Sequence, residues 1–143
     1  MNINLILKAL SQVGVREIRG KEHNPTILNY FEEIGEKWIK DDETAWCSAF
    51  ANWVAKEAGA EMSNKLNARS WLNVGVRVEK PKLGNIVVLW RESVNSWKGH
   101  VGFFVAERDG YIYILGGNQN NQVRIQAYPK ERLLEYRELK AAK

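Results

Sequence analysis

The sequence predicts an α+β fold in which N-terminal helices pack on a C-terminal antiparallel β-sheet. In the first half, apolar residues recur at three- and four-residue steps, which is typical of amphipathic helices. From Pro81 onward, short segments rich in β-branched and aromatic residues are separated by turn signals, which is typical of strands. Because the helices come first and the strands follow, the pattern favours α+β over alternating α/β. The length of 143 residues fits one domain over residues 1–143.

Four helices are predicted in the first half, bounded by residues typical of helix ends. Asn24 followed by Pro25 is a cap followed by a preset first turn, and Thr44 is placed to cap the third helix. Glycine follows the periodic segments, as it does at many helix C-termini. The predicted spans are 3–13, with Ile3, Ile6, Leu10 and Val13 as one apolar face, then 25–35, 45–58 and 68–73.

Five strands are predicted in the second half. The dipeptide Asp109-Gly110 is a strong signal for a two-residue hairpin turn, so the segments on either side of it should be antiparallel neighbours. The predicted strands cover residues 85–90, 100–107, 111–115, 122–128 and 133–139.

The composition excludes several classes of protein. One cysteine cannot form an intramolecular disulfide, and with two histidines it gives too few ligands for a usual zinc site. We therefore expect no metal and no organic cofactor. The net charge is +4, but the basic residues form no block, so nucleic acid is not an expected partner. A mildly cationic surface would equally suit a polyanionic cell envelope. No apolar run approaches the roughly 18 residues of a membrane span, so we expect no membrane insertion. We also expect a monomer.

Cys47 lies in the phrase TAWCSAFANW, at the first turn of the predicted third helix. Unpaired backbone N–H groups and the helix dipole favour negative charge there, so we expect a lowered thiol pKa and a nucleophile. The adjacent N–H groups would also receive the oxyanion of an attacked carbonyl. The alternative is that Cys47 is packing, because free cysteines are among the most buried residues.

His100 opens a predicted strand in the phrase WKGHVGFF, where it is placed to act as a base toward a thiol on a facing helix. Counted from the Asp109-Gly110 turn, His100 and Asn118 lie at similar distances along the two arms, so we expect them to be close. An amide oxygen there would orient the imidazole, which completes a Cys-His-Asn set. The alternatives are a structural histidine and, for Asn118, an ordinary turn residue.

Together, WCSAFANW, PKLGNIVVLWR, GHVGFFV and LGGNQ resemble the NlpC-type and CHAP-type papain-like cell-wall hydrolases, especially their short, phage endolysin-like members. The resemblance covers roughly residues 13–137. It implies a papain-like fold and cleavage of an amide bond in the peptide moiety of bacterial peptidoglycan, by an endopeptidase or an N-acetylmuramoyl-L-alanine amidase. It also implies Cys47 as nucleophile, His100 as base and Asn118 as the orienting partner.

Substrate contacts are predicted for Trp46, Trp97 and Gln119. Trp97 lies in a polar loop just before His100, where a ring could line a groove, and packing is the alternative for both tryptophans. Some CHAP-type relatives bind calcium through acidic loops, and the similar cluster here is 41–43, which we interpret as a solvated lead-in to a helix.

Two other functions stay open on the sequence alone. One is a non-catalytic cell-wall-binding module, and the other is a thiol hydrolase or acyltransferase that acts on an amide or ester outside the wall. The N-terminus lacks the features of a signal peptide. We therefore expect cytoplasmic synthesis, with holin-type release or a secretion system bringing a wall hydrolase to its substrate.

Overall fold

The computed structural model of the protein describes residues 3–18, 24–36 and 46–142. Within these residues, helices precede a six-stranded antiparallel sheet, so the predicted α+β class is confirmed. The helices are α1 (Ile3–Leu10), α2 (Pro25–Glu32) and α3 (Cys47–Glu57), with 3₁₀ helices at Ala68–Asn73 and Lys130–Arg132. The strands are β1 (Val76–Val78), β2 (Ile86–Trp90), β3 (Gly99–Arg108), β4 (Tyr111–Gln119), β5 (Gln122–Pro129) and β6 (Leu133–Glu138).

The sheet has the strand order β1-β6-β2-β3-β4-β5, with every neighbouring pair antiparallel. The five predicted strands are present, and the short edge strand β1 was not predicted. Three residues are too few to show a period-two pattern, so β1 leaves no clear signal in the sequence.

The turn at Asp109-Gly110 forms as predicted. Both residues have positive φ angles, 51° and 81°, and Arg108 pairs with Tyr111 across the turn. These are the left-handed conformations that a two-residue hairpin of this kind requires. The predicted hairpin between β3 and β4 is confirmed.

A second two-residue turn, at Asn120 and Asn121, joins β4 to β5, and its φ angles are 55° and 62°. The prediction that β4 ends near Leu115 was wrong, because β4 continues to Gln119. The β4–β5 pairing shifts by one residue between Gly116 and Gln119, which is a β-bulge. Read as sequence, the polar residues of this bulge look like a loop.

The first helix is shorter than predicted and buries a different face. It ends at Leu10 and packs against α3. The buried side chains are Leu5, Ile6 and Ala9. The exposed ones include Ile3, Leu7, Leu10 and Val13. Of the four residues predicted as the apolar face, only Ile6 is buried.

The other helix ends are partly as predicted. Asn24 caps α2, since its side chain accepts a hydrogen bond from the Thr26 N–H at 2.8 Å. The fourth predicted helix is present as a 3₁₀ helix. The predicted cap Thr44 lies outside the described residues, and α3 begins at Cys47.

The main hydrophobic core lies between α3 and the sheet, where α3 contacts β3 and β4. Gly117 of β4 allows this close approach. A Cβ built on it would lie 2.7 Å from Phe50 Cβ and 2.8 Å from Trp46 Cζ3. A smaller cluster is built from alternate residues of the strands: Val87, Leu89, Phe104, Ile112, Ile114 and Tyr136.

The segment between α1 and α2 pairs with the tip of the β4–β5 hairpin. The Gly14 N–H donates to Val123 O at 3.0 Å, the Val123 N–H donates to Val15 O at 2.7 Å, and the Glu17 N–H donates to Asn121 O at 2.9 Å. The chain near residue 15 therefore fixes the hairpin that carries Gln119. Among the described helices, none is long and apolar enough to cross a membrane.

Candidate active site

Cys47 is the first residue of α3, and its thiol is free and only 3% exposed. Burial raises its pKa, and this outweighs the hydrogen bonds from the backbone N–H groups of Val101 and Ser48 and the positive charge of Arg91, all of which lower it. The expectation of a lowered thiol pKa was therefore wrong, because the position at the helix start lies inside the core. At neutral pH the resting group is a thiol.

His100 lies on β3 and is 9% exposed. Burial lowers its pKa to about 4; the hydrogen bond that the ring makes to Gln119 raises the pKa, and the charges of Arg132 and Arg91 lower it further. The imidazole is therefore neutral at neutral pH. Cys47 and His100 are linked through the backbone of Val101, the residue after His100, while no hydrogen bond joins thiol and ring directly in the described chain.

Gln119 holds the imidazole. His100 Nε2 lies 2.8 Å from Gln119 Oε1, while Gln119 Nε2 donates to Ile114 O at 3.0 Å and to Arg124 O at 2.7 Å. Because both amide hydrogens are used on carbonyls, Gln119 Oε1 can only accept from the ring. His100 must then carry its proton on Nε2, which leaves the lone pair of Nδ1 free to act as a base.

The hydrogen bond predicted for Asn118 is made by its neighbour. Asn118 is half-buried with φ of 56°, and its side chain makes no hydrogen bond with the described residues. The sequence did contain the correct signal: His100 lies nine residues before Asp109, and Gln119, not Asn118, lies nine after Gly110. The β3 strand has an extra residue near Val105, and β4 has a bulge between Gly116 and Gln119. The two extra residues compensate each other, so counting equal numbers of residues from the turn gives the correct partner.

Trp46 is fully buried, so the substrate contact predicted for it does not fit the structure. Its Nε1 donates to Glu17 Oε1 at 2.8 Å, and its ring stacks on Tyr30 with centroids 6.2 Å apart. The packing alternative applies to this residue. It fixes the start of α3 directly before Cys47.

Tyr128 on β5 is a neighbour of the imidazole that the sequence analysis missed. Its Oη lies 3.3 Å from His100 Nε2, and the two rings lie 5.1 Å apart at an interplanar angle of 31°. Burial raises the pKa of Tyr128, and the negative charge of a Cys47 thiolate would raise it further. The alternation of the strand, which pairs Tyr128 with Ile112, was the signal available for it.

The CHAP domain family model matches residues 39–118, which is more than half of the chain. The chain belongs to the CHAP domain family. This is a family of cell-wall peptidases and amidases. The matched part of this CHAP domain contains Cys47 and His100 and stops one residue before Gln119, so two of the groups around the imidazole lie beyond it.

The CHAP domain also resembles a solved structure from Staphylococcus aureus subsp. aureus Mu50, described as similar to a lipoprotein of the NLP/P60 family. The two are 15% identical with a TM-score of 0.51, which shows a shared fold. The alignment covers 94% of this chain and 40% of that protein, so the chain spans less than half the length of its structural relative. No curated protein matches the chain at a significant level.

Trp97 is 59% exposed, in the loop between β2 and β3 of the CHAP domain. Arg69 fixes this loop by donating to three backbone oxygens: Nε to Lys98 O at 2.8 Å, and the two terminal nitrogens to Val94 O at 2.6 Å and Ser93 O at 2.9 Å. The ring is therefore presented to solvent on an anchored loop rather than packed in the core.

Among the described residues, no group of three or more His, Cys, Asp or Glu side chains is placed to hold a metal ion. The acidic cluster 41–43 and His23 lie outside the described residues.

Proposed function

We propose that this CHAP domain is a cysteine hydrolase that cleaves an amide bond in the peptide part of bacterial peptidoglycan. The observation that carries the proposal is the oriented imidazole. His100 is held with a free Nδ1, and the backbone N–H of the next residue, Val101, donates to the Cys47 thiol. Family membership supports the wall as the source of the substrate.

In the proposed reaction, His100 Nδ1 removes the proton of Cys47 Sγ as the sulfur attacks the amide carbonyl. Because burial keeps both groups neutral at rest, the proton moves together with the attack rather than before it. The backbone N–H groups around Cys47 that already lower its pKa are suited to receive the oxyanion.

The second half of the reaction returns the site to its starting state. The imidazolium gives its proton to the departing amine, and a thioester to Cys47 remains. Water then loses a proton to His100 and attacks the thioester, and the thiol leaves as it takes the proton back. Gln119 keeps the Nε2 proton in place throughout, so Nδ1 alone exchanges protons.

The exposed ring of Trp97 is proposed as a substrate contact. An anchored aromatic surface offers contact area at a low cost in conformational entropy. Trp97→Ala is expected to raise KM with little change in kcat, and a fall in kcat at unchanged KM would remove Trp97 from the binding surface.

The test is digestion of purified sacculi by the wild-type chain and by Cys47→Ala, followed by mass spectrometry of the released muropeptides. The wild type should release fragments with new amino termini and no new reducing ends, and Cys47→Ala should release none. Cys47→Ser, which retains a hydroxyl of similar size, serves as the matched control for packing around the thiol. The fragment masses separate an endopeptidase from an amidase.

Two other outcomes correspond to the alternative functions. Saturable binding to sacculi without new termini would indicate a wall-binding module. Intact sacculi together with turnover of a small acyl substrate would indicate a thiol hydrolase or acyltransferase acting outside the wall. Either outcome would overturn the proposal.

A further inference from the structure

We propose that Tyr128 is a positioning residue for His100, which fixes the plane of the imidazole and accepts a share of its Nε2 proton. The proposal rests on the function above in taking His100 as the base. Its geometric basis is the 3.3 Å separation of Tyr128 Oη from His100 Nε2 and the 5.1 Å separation of the two rings.

The direction of the Tyr128 hydrogen bond follows from the partners of Gln119. Because both hydrogens of Gln119 Nε2 are donated to backbone carbonyls, Gln119 Oε1 is an acceptor and His100 Nε2 must donate. Tyr128 Oη cannot donate to a nitrogen that already carries a proton. It therefore acts as a second, more distant acceptor for the same N–H, at 3.3 Å against 2.8 Å.

Two acceptors on Nε2 matter most when the ring is charged. During the proposed reaction His100 becomes an imidazolium, and hydrogen bonds to charged groups are stronger than those between neutral groups. Both acceptors then stabilise the form that burial disfavours. The other titratable or charged groups that act on this pair are Cys47, Arg91, Arg124 and Arg132.

The position of Tyr128 is determined by the sheet. Tyr128 pairs with Ile112 and packs against the smaller hydrophobic cluster, so its ring has little freedom to move away from the imidazole. The cluster contains a second tyrosine, Tyr136, whose hydroxyl donates to Glu107 Oε1 at 2.9 Å. Tyr136 is thus a matched control that shares the packing of Tyr128 without its contact to His100.

The experiment measures the pKa of His100 by ¹⁵N NMR in a His23→Gln background, where His100 is the only histidine. Tyr128→Phe retains the ring and removes the oxygen. Loss of one weak acceptor for the charged form should lower the His100 pKa by about 0.5, with the proton still on Nε2 at neutral pH. Tyr136→Phe should leave the His100 pKa unchanged.

Three results would overturn the proposal. The His100 pKa could be the same in Tyr128→Phe as in the parent, or it could shift equally in Tyr136→Phe, which would indicate a general loss of packing. It could also rise in Tyr128→Phe, which would mean that Tyr128 donates to Nε2. None of these readouts depends on activity, so failure of the proposed hydrolase function would leave the test of Tyr128 intact.

An activity measurement then separates positioning from packing. If sacculi are hydrolysed, Tyr128→Phe should shift the acid limb of the kcat/KM profile by the same amount as the His100 pKa and leave KM unchanged. Tyr128→Leu removes the ring as well as the oxygen, so its kcat should be lower than that of Tyr128→Phe. Equal kcat values for the Phe and Leu variants would contradict the role given to the ring.

Discussion

The thiol and the imidazole of the candidate site are held by different kinds of group. The thiol of Cys47 is fixed mainly by the main chain, through the start of α3 and the N–H groups of Val101 and Ser48. The imidazole of His100 is fixed by the side chains of Gln119 and Tyr128. The position of the imidazole can therefore be changed by single side-chain substitutions, whereas the position of the thiol changes only when packing between α3 and the sheet changes.

Among changes around the imidazole, the largest effect is expected when its amide acceptor is removed. Gln119→Leu leaves His100 Nε2 without its 2.8 Å partner and removes the acceptor that dictates the tautomer. We expect kcat/KM for sacculus hydrolysis to fall by about 100-fold or more, as when the orienting residue of a triad is lost. Steady-state kinetics of the wild type and of Gln119→Leu measures this fall in kcat/KM.

Asn118→Ala is the matched control, since it changes the adjacent residue, which makes no hydrogen bond with the described residues. Its kcat/KM should stay within about twofold of the wild type. If Asn118→Ala were the more damaging change, the orienting role would return to Asn118. Gln119 would then not be the side chain that fixes the imidazole.

Acid should weaken the fold through the imidazole. The pKa of His100 is about 4 in the folded chain and 6.5 without burial. Between these values the unfolded chain binds a proton that the folded chain does not, so the free energy of unfolding falls as the pH drops from 6.5 to 4. This single group contributes up to about 3 kcal/mol over that range, and nothing further below it.

Urea unfolding at several pH values, for the wild type and His100→Gln, measures this contribution. The two curves should differ in slope between pH 6.5 and 4 and run parallel above pH 6.5. Parallel curves over the whole range would show that His100 does not titrate as a buried, neutral group.

Two adjacent glycines allow the surroundings of the thiol and of the imidazole to be disturbed separately. A Cβ on Gly117 would lie 2.7 Å from Phe50, so Gly117→Ala should push α3 from the sheet and lower the free energy of unfolding by about 1–3 kcal/mol. A Cβ on Gly116 would lie 2.6 Å from Gln119 Oε1, the far end of a flexible side chain. Gly116→Ala should therefore cost activity more than stability.

Thermal unfolding and sacculus hydrolysis, measured on both alanine variants, test this separation. The expected pattern is a lower Tm for Gly117→Ala and a lower kcat at near-normal Tm for Gly116→Ala. If both variants lost Tm and kcat in the same proportion, the thiol and the imidazole would not be held independently.

The smallest effect is expected on the alkylation rate of Cys47, when the charge of one of two nearby arginines is removed. Arg91 lowers the pKa of both Cys47 and His100, whereas Arg132 acts on His100 and is not among the groups that shift Cys47. Arg91→Gln should slow alkylation of Cys47 by iodoacetamide at pH 8 by roughly twofold, because the thiolate fraction falls. Arg132→Gln should leave the alkylation rate unchanged, and equal slowing by both changes would contradict the assignment.

Much of the sheet was predictable because its signals are local. Asp109-Gly110 specifies a hairpin turn by its own conformational preference, and the alternation beside it specifies the strands. The first helix was less predictable. Its spacing of apolar residues fits two faces, and only contact with α3 selects Leu5, Ile6 and Ala9 for burial.

The candidate site shows the same division. Cys47 and His100 were predicted from residue type and local position, and the residues matched by the family model include both. The partner of His100 depends on bulges in two strands, and such one-residue shifts are set by the surrounding packing. The thiol pKa was predicted in the wrong direction, because a helix dipole can be read from sequence and burial cannot.

The strand-like segment from Gly14 to Glu17 has a consequence for the order of folding. Glu17 binds Trp46 through its carboxylate and Asn121 through its backbone N–H, so it connects the residue before Cys47 with the turn after Gln119. The contact with Asn121 closes a loop that spans most of the chain, and such closures are slow because chain entropy must be lost before they form. Assembly of the site should accordingly belong to the final stage of folding, so recovery of activity after refolding would lag behind formation of the β3–β4 hairpin.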